Sequence, residues 1–371
     1  MKFKSVSSFS DFIEKTKDKR IVQFGLSTGW DYYEKAFEDV RHNIIDRTDF
    51  IVDNDKSKHN KTYNILGKRI HVYDTDVLCS LKNEIILIVV SLAYQKQICE
   101  QIKAMNIPDT VDCYSLPLMS YGMGTVDNSA VDEYFKSHLK RIIPKIIHCF
   151  WFSGEEKTEL YKKCINSWKK YCPDYEIIEW NSQNYDVMKN EYMYEAYQNR
   201  KWAFVSDYAR LDVLYEYGGI YMDMDVELIS SLTPYLSAEG FFCRQADGFL
   251  DLGSGFGVEK NDELIGKMLA TYDGRKFVGS DGELDKTAQP QWLDSILNDN
   301  GIRKNHNSEI IGKYIVLSND YIMCDKGNDL YDSAIVGIHW HNGGWLDEEE
   351  RYKIHEANNV KDYLKKEIFI N

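Results

Sequence analysis

Residues 201–228 read KWAFVSDYARLDVLYEYGGIYMDMDVEL. The apolar spacing predicts a long amphipathic helix from Trp202 to Tyr217, which Gly218 and Gly219 end by supplying left-handed backbone. The chain then enters IYMDMDVEL, a short apolar strand that carries Asp223 and Asp225. A helix feeding directly into a buried strand is half of an α/β repeat, and the flanks supply the rest. Upstream, IPKIIHCFW reads as a strand, Lys157 to Tyr171 as a helix and YEIIEW as another strand. In an extended chain residues i and i+2 point to one side, so Asp223 and Asp225 can face one cation or one hydroxylated ligand. Hard oxygen donors at the end of a buried strand suit Mg²⁺ or Mn²⁺ bridging a diphosphate. The triplet also occurs as Asp53-Asn54-Asp55 and Asp74-Thr75-Asp76, but only the third copy follows an apolar segment with paired glycines, where backbone can approach a ligand or a neighbouring helix.

Three further groups carry candidate chemistry. Asp207 and Arg210 lie three apart and share a helix face. They read either as a surface ion pair or as a polar grip, with Arg210 donating in a fork to ligand oxygens and Asp207 accepting from sugar hydroxyls. IVGIHWHNGGW sets His339 and His341 two apart, so that in a strand both imidazoles share a face and can complete a carboxylate-metal site. His148 and Trp151 end the strand IPKIIHCFW, and the carboxyl edge of a parallel sheet is the usual ligand crevice.

From residue 20 to about 115, short β-rich runs (RIVQFG, DFIVDN, IHVYD, EIILIVV, VDCYS) alternate with helical stretches near Trp30 to His42 and through Gln101. That alternation predicts a parallel sheet. A dinucleotide site would want G-x-G-x-x-G after the first strand, whereas FGLSTGW puts Ser27 and Trp30 in the second and third glycine places. Asp53 stands where a ribose-binding acid sits, although acids after buried strands also form turns. The expected organisation is therefore a Rossmann-like accessory domain over 1–140 and a catalytic α/β domain over 141–371, with the boundary after the polar stretch Gly122 to Asn128 and a short helix. The N-terminal twenty residues read as a short amphipathic helix, not a secretion signal. Forty-five basic against 59 acidic residues leave a net charge of −14, which excludes a partner held by neutralising a phosphate backbone, so no nucleic acid is expected. Eight scattered cysteines without a C-x-x-C pair suit a cytosolic, reducing compartment.

IPKIIHCFWFSG, SWKKYCPDYEIIEW, KWAFVSDYARLDVLYEYGGIYMDMDVEL and GIHWHNGGW, in this order, resemble the capsular-polysaccharide type of family 32 glycosyltransferases. That family carries a sugar-binding region with a DXD motif and is related to clostridial glucosylating toxins and fungal mannosyltransferases. The likeness covers 142 to about 346 and is most specific over Ala203 to Glu227. It implies a GT-A fold, a nucleotide-sugar donor, Mn²⁺ or Mg²⁺, and transfer with retention of anomeric configuration. On it, Trp151 would stack on the nucleobase, Asp207 and Arg210 would hold the donor sugar, Tyr221 and Asp223 would lie against the ribose and metal-bound diphosphate, and Asp225 would ligate the metal. His148 and Trp345 fall with the nucleotide-sugar site, and His339 or His341 with the metal. Relatives often end in a His-His-Trp-Ala-Gly-Ser-Trp-like segment. Here Gly344 stands for the Ser, which leaves open which histidine is the ligand.

The chemistry agrees with this. Breaking a sugar-diphosphate bond needs charge stabilisation on the leaving oxygens, which a cation supplies without a proton donor. The implied acceptor is a glycan or lipid-linked glycan of a surface polysaccharide, reached from the cytoplasm at the inner membrane face by peripheral contact at most. Competing readings are a non-catalytic sugar-nucleotide or glycan-binding relative and a metal-dependent nucleotidyl or phosphoryl transferase. The second would want a G-x-x-x-x-G-K-[ST] loop, which is missing. An oxidoreductase in the N-terminal part is opposed by the broken glycine pattern.

Overall fold

The computed structural model describes residues 1–6, 9–30, 33–34, 37, 39–119, 128–245, 248–319, 323–325, 336–340 and 363–369. They fall into two compact units, one of 1–125 with 347–371 and one of 126–346.

The first unit is built on a sheet of β1 (Lys2–Phe3), β2 (Ile21–Phe24), β3 (Thr48–Val52), β4 (Thr62–Ile65), β5 (Lys68–Tyr73), β6 (Ile85–Ile88) and β7 (Asp112–Ser115), ordered β1-β7-β6-β2-β3-β5-β4. Every pairing is parallel except β4 with β5. Alternate residues feed opposite faces: Ile21, Ile51, Ile85 and Leu87 enter one core, and Val22, Phe24, Val52, Ile86 and Ile88 enter the other. Because both faces are covered, these strands read as continuous apolar runs. The N-terminal stretch forms the expected helix, α1 (Phe9–Thr16), which buries Phe9 and Phe12. The helix expected near Trp30 to His42 falls partly outside the described residues.

The second unit holds an eight-stranded mixed sheet: β8 (Ile146–Phe150), β9 (Glu176–Trp180), β10 (Gly219–Tyr221), β12 (Gly240–Arg244), β13 (Leu250–Asp251), β14 (Phe256–Val258), β15 (Glu309–Ile311) and β16 (Tyr314–Leu317). Its path is β15-β16-β12-β14-β10-β8-β9, with β13 beside β12, and β9, β8 and β10 run parallel. A smaller sheet sets β18 (Gly337–His339) between β11 (Val226–Leu228) and β17 (Met323–Asp325). Again the faces alternate, with Phe150, Tyr221, Phe242 and Val316 in one core and Cys149, Ile220, Phe241 and Leu317 in the other. The chain is thus α/β, as expected, with parallel strand pairings at the centre of the first sheet and among β9, β8 and β10 of the second.

The expected division at residue 140 differs from these units in two places. The helix Ser129–Ser137 belongs to the second unit, where Val131 is buried and the Phe135 ring meets Tyr235 edge-on at 4.8 Å. The described C-terminal residues belong to the first unit, where Leu364, Ile368 and Phe369 enter its core and Phe369 packs on Phe3. A hydrophobic return of this kind leaves no composition shift in the sequence.

Candidate functional site

The helix Trp202–Tyr217 has the predicted ends, but ten of its residues between Phe204 and Leu214 are buried, Asp207, Arg210 and Asp212 among them, and exposure is confined to its last turn and a few half-buried positions. It is a core helix and not an amphipathic surface one. Gly218 and Gly219 follow with φ of +66° and +105°. A Cβ on Gly218 would lie 2.7 Å from the Lys260 amide nitrogen, and one on Gly219 would lie 2.8 Å from the Ile146 carbonyl oxygen. The glycine pair therefore brings backbone against backbone within the fold and does not open a path to a ligand.

β10 ends at Tyr221, and Asp223 and Asp225 lie in the turn that follows, not in a strand. The Val226 amide closes that turn on the Asp223 carbonyl at 3.1 Å. An extended chain, as expected from the sequence, is therefore not what turns the two acids to one side. The two carboxylates converge because a turn and a strand pair hold them: β11 pairs antiparallel with β18, which places His339 opposite Val226. His339 Nε2 lies 3.4 Å from Asp225 Oδ1 and 4.0 Å from Asp223 Oδ2. One ligand atom from each of Asp223, Asp225 and His339 falls within 4.8 Å of the others.

A fourth side chain, which nothing in the sequence reading marked, organises this group. Asp251, at the end of β13, accepts the Gly253 and Ser254 amides on Oδ1, each at 2.9 Å, and places Oδ2 3.3 Å from His339 Nδ1. The signal available in the sequence was Asp251-Leu252-Gly253-Ser254, an acid whose side chain closes a turn onto a glycine. Gly253 is required here, because a Cβ on it would sit 2.5 Å from Asp223 Oδ2, and its carbonyl accepts the Asp223 amide at 2.8 Å.

Two carboxylates with an imidazole, oriented from behind by a third carboxylate, form a donor set that fits a divalent cation. The Asp223 side chain is 34% exposed, so the open side of the set faces solvent. Burial raises the Asp223 carboxyl, a push opposed by Arg210 and reinforced by Asp225. Burial lowers His339, but Asp225 and Asp251 outweigh it and hold the imidazole well above its ordinary value.

Asp207 and Arg210 stand beside this group. The Arg210 fork is turned on the protein: one arm bonds Asp207, another the Leu252 carbonyl at 2.7 Å, and Nε the Ser206 carbonyl at 3.2 Å. Its plane lies 4.9 Å from the Tyr221 ring centre, and the Tyr221 hydroxyl donates to Asp223. Arg210 thereby links the core helix, the 251–254 turn and the DXD turn, a positioning role that the expected fork onto ligand oxygens did not foresee. Burial raises the Asp207 carboxyl to about 6, against the pull of Arg210 and with a push from Asp223.

The structure brings Asp207, Arg210, Tyr221, Asp223, Asp225 and His339 together. His148 is a different case and corrects its expected ligand role. It is fully buried, its Nδ1 accepts the Trp180 indole N–H at 3.1 Å, and its Nε2–H therefore donates to the Gly218 carbonyl at 2.9 Å. With both nitrogens engaged it pins β8 to β9 and to the glycine pair. Trp151 is half-buried at the end of β8, its indole N–H donating to the Glu155 carbonyl at 2.8 Å and its ring meeting Tyr161 edge-on. His341 and Trp345 lie outside the described residues.

An α/β sheet with a carboxylate-imidazole cluster beyond one strand end thus defines the class of site. Residues 158–242, which carry most of it, match the family model described as "Glycosyltransferase sugar-binding region containing DXD motif". Inositol phosphoceramide mannosyltransferase 3 of Schizosaccharomyces pombe is 31% identical over 139 residues, 34% of this chain and 38% of the relative. Mannosyl phosphorylinositol ceramide synthase SUR1 of Saccharomyces cerevisiae is 31% identical over 105 residues, 27% of each chain. The chain thus spans well under half the length of these relatives. Among solved structures, the PaToxG glycosyltransferase aligns with 46% of this chain and 74% of its own, at 20% identity and a TM-score of 0.35. The chain is glycosyltransferase-like across the matched region.

Proposed function

We propose that this chain is a metal-dependent, retaining glycosyltransferase of GT-A type that moves a hexose or N-acetylhexosamine from a UDP-linked sugar to a hydroxyl of a glycan acceptor. The observation that carries it is the convergence of Asp223, Asp225 and His339 at one point, beside buried Asp207 and Arg210, inside a segment that matches a DXD sugar-binding model. A bound divalent cation supplies Lewis acidity for the charge that develops on a leaving diphosphate. The mixed oxygen and imidazole set favours Mn²⁺ over Mg²⁺, which keeps to oxygen ligands.

The protein's own groups position the donor. Asp223, Asp225 and His339 hold the ion, and Asp251 fixes the His339 ring. Asp207 accepts from sugar hydroxyls, with Arg210 holding its carboxylate in place. Trp151 offers its ring to the base. A retaining transfer in which the leaving phosphate takes the acceptor proton needs no carboxylate base.

Surface-polysaccharide synthesis in the cytoplasm, against the inner face of a membrane, rests on the family resemblance. The relatives' names widen the choice to mannose donors and ceramide-linked acceptors. Among the described residues no helix is long and apolar enough to cross a membrane, so contact with a lipid-linked acceptor is proposed as peripheral. The test is nucleotide release in the presence of Mn²⁺ from UDP-galactose, UDP-glucose, UDP-N-acetylhexosamines and a mannose-bearing nucleotide sugar, with and without glycan acceptors. At least one should be consumed; if none is consumed with any acceptor, the proposal fails.

A further inference from the structure

The first unit has a cleft of its own. In its sheet β2 lies between β3 and β6, so the chain leaves β2 to one side and later returns on the other. Loops that part in this way open a crevice beyond the carboxyl ends of the strands. Here the crevice is a cavity of about 680 Å³, within the range of roughly 300–1,000 Å³ that small-molecule sites occupy.

Its floor is the loop Gly25 to Gly29. Gly25 has φ of +94°, and a Cβ there would come within 2.0 Å of Val90 Cγ1, so only glycine lets the ends of β2 and β6 approach this closely. Two amides that a phosphate cradle would present are already satisfied: Leu26 N–H donates to Asp53 Oδ2 at 2.8 Å, and Gly29 N–H donates to Ser27 Oγ at 3.0 Å. Ser27, the departure from the glycine pattern, thus fills the place of a phosphate oxygen with its own hydroxyl. The cation among the described lining residues, Lys58, is 3.0 Å from Asp53 Oδ2 and is neutralised there.

Other features favour hydroxyl groups. Asp53 is buried at the end of β3, and its two oxygens, which can accept about four hydrogen bonds, take Leu26, Asp55 and Lys58. That leaves room for one ligand hydroxyl. Thr28, Ser91 and Gln97 add polar groups to the wall, and Tyr94, 63% exposed, presents a ring at the cleft. We propose that this crevice binds a sugar ring with neighbouring hydroxyls, one hydroxyl held by Asp53 and one ring face of the ligand on Tyr94, and that it does not bind a dinucleotide by its diphosphate. A nucleoside and a glycan unit share this chemistry. The described residues that line it all belong to the first unit, so the proposal does not rest on the donor site proposed for the second.

The full chain, with EDTA present, is titrated by ligand-observed NMR with adenosine, uridine, methyl mannoside, methyl glucoside and NAD⁺. At least one neutral ligand should bind, and NAD⁺ should be no more than about threefold tighter than adenosine. Tyr94→Ala, an exposed position that leaves folding intact, should weaken binding about tenfold, whereas Trp151→Ala should leave it unchanged. Nucleoside binding alone would identify the ligand as a nucleoside, and glycoside binding alone as a glycan unit. The proposal is overturned if no ligand binds at millimolar concentration, if NAD⁺ binds tenfold or more tighter than adenosine, or if Tyr94→Ala has no effect.

Discussion

Asp251 sets its Oδ2 3.3 Å from His339 Nδ1, behind the ring that faces Asp223 and Asp225. Asp223 and Asp225 are legible because they form a triplet behind paired glycines, and His339 because it lies in a histidine pair, but Asp251 acts through His339 and has no motif of its own. A carboxylate behind a metal-binding imidazole fixes ring and tautomer, and its loss typically weakens metal affinity by about 10- to 100-fold. Asp251→Asn should therefore raise the Mn²⁺ concentration needed for half-maximal donor turnover by that factor, with saturating Mn²⁺ restoring most of the rate. An unchanged Mn²⁺ requirement would make Asp251 a turn former only. His148 errs in the other direction, since its place at a strand end looks like a ligand crevice while its ring is sealed in. Burial lowers its pKa to about 4, only partly offset by its bond to Gly218, against about 6.5 when unfolded. As pH falls from 7, the unfolded chain takes up the proton first, so stability is full above about 6.5 and is lost toward pH 4. The shift corresponds to about 3 kcal/mol. In urea unfolding, the advantage of the wild type over His148→Gln should shrink by about that amount between pH 7 and 4.

At the scale of elements, the buried helix and its glycine stop were readable because the capping chemistry is local and the helix ends where two positive-φ residues begin. Its burial up to Leu214 was not, because Asp207 and Arg210 look like a surface ion pair until the Leu252 carbonyl appears as a partner of Arg210, and because the Tyr185 hydroxyl that meets Asp212 at 2.7 Å comes from outside the helix. The short strands β11 and β18 were also out of reach, since three-residue strands carry too little periodicity and gain their order from pairing across more than a hundred residues. Gly219 tests the element-level account. Its φ of +105° and the Ile146 carbonyl 2.8 Å from a would-be Cβ leave no relaxed alanine conformation. Gly219→Ala should destabilise the second unit by more than 1 kcal/mol and lower its unfolding temperature by several degrees. An alanine variant as stable as wild type would refute the tight helix-to-strand passage.

For the whole molecule, the α/β class was legible in both halves because strands covered on two faces read as apolar runs, but the boundary was not. The helix Ser129–Ser137 follows a polar stretch yet buries Val131 with the second unit, and the last described residues pack with the first. A chain of residues 126–346 should accordingly retain metal-dependent donor hydrolysis, while one beginning at 141 should melt lower, having lost a buried valine contributing about 1.5–3 kcal/mol. Equal melting temperatures for the two would contradict the division. The central claim is that Asp223, Asp225 and His339 hold a divalent cation on which donor cleavage depends. The most direct measurement is nucleotide release from the preferred nucleotide sugar by the full chain, in EDTA, after Mn²⁺ is restored, and by Asp225→Asn. The account predicts no turnover in EDTA and recovery with Mn²⁺. It also predicts a loss of at least about 100-fold in Asp225→Asn with the native circular dichroism spectrum retained, since each 1.4 kcal/mol is tenfold and a lost metal contact removes several. Full turnover in EDTA, or wild-type turnover by Asp225→Asn, would contradict it.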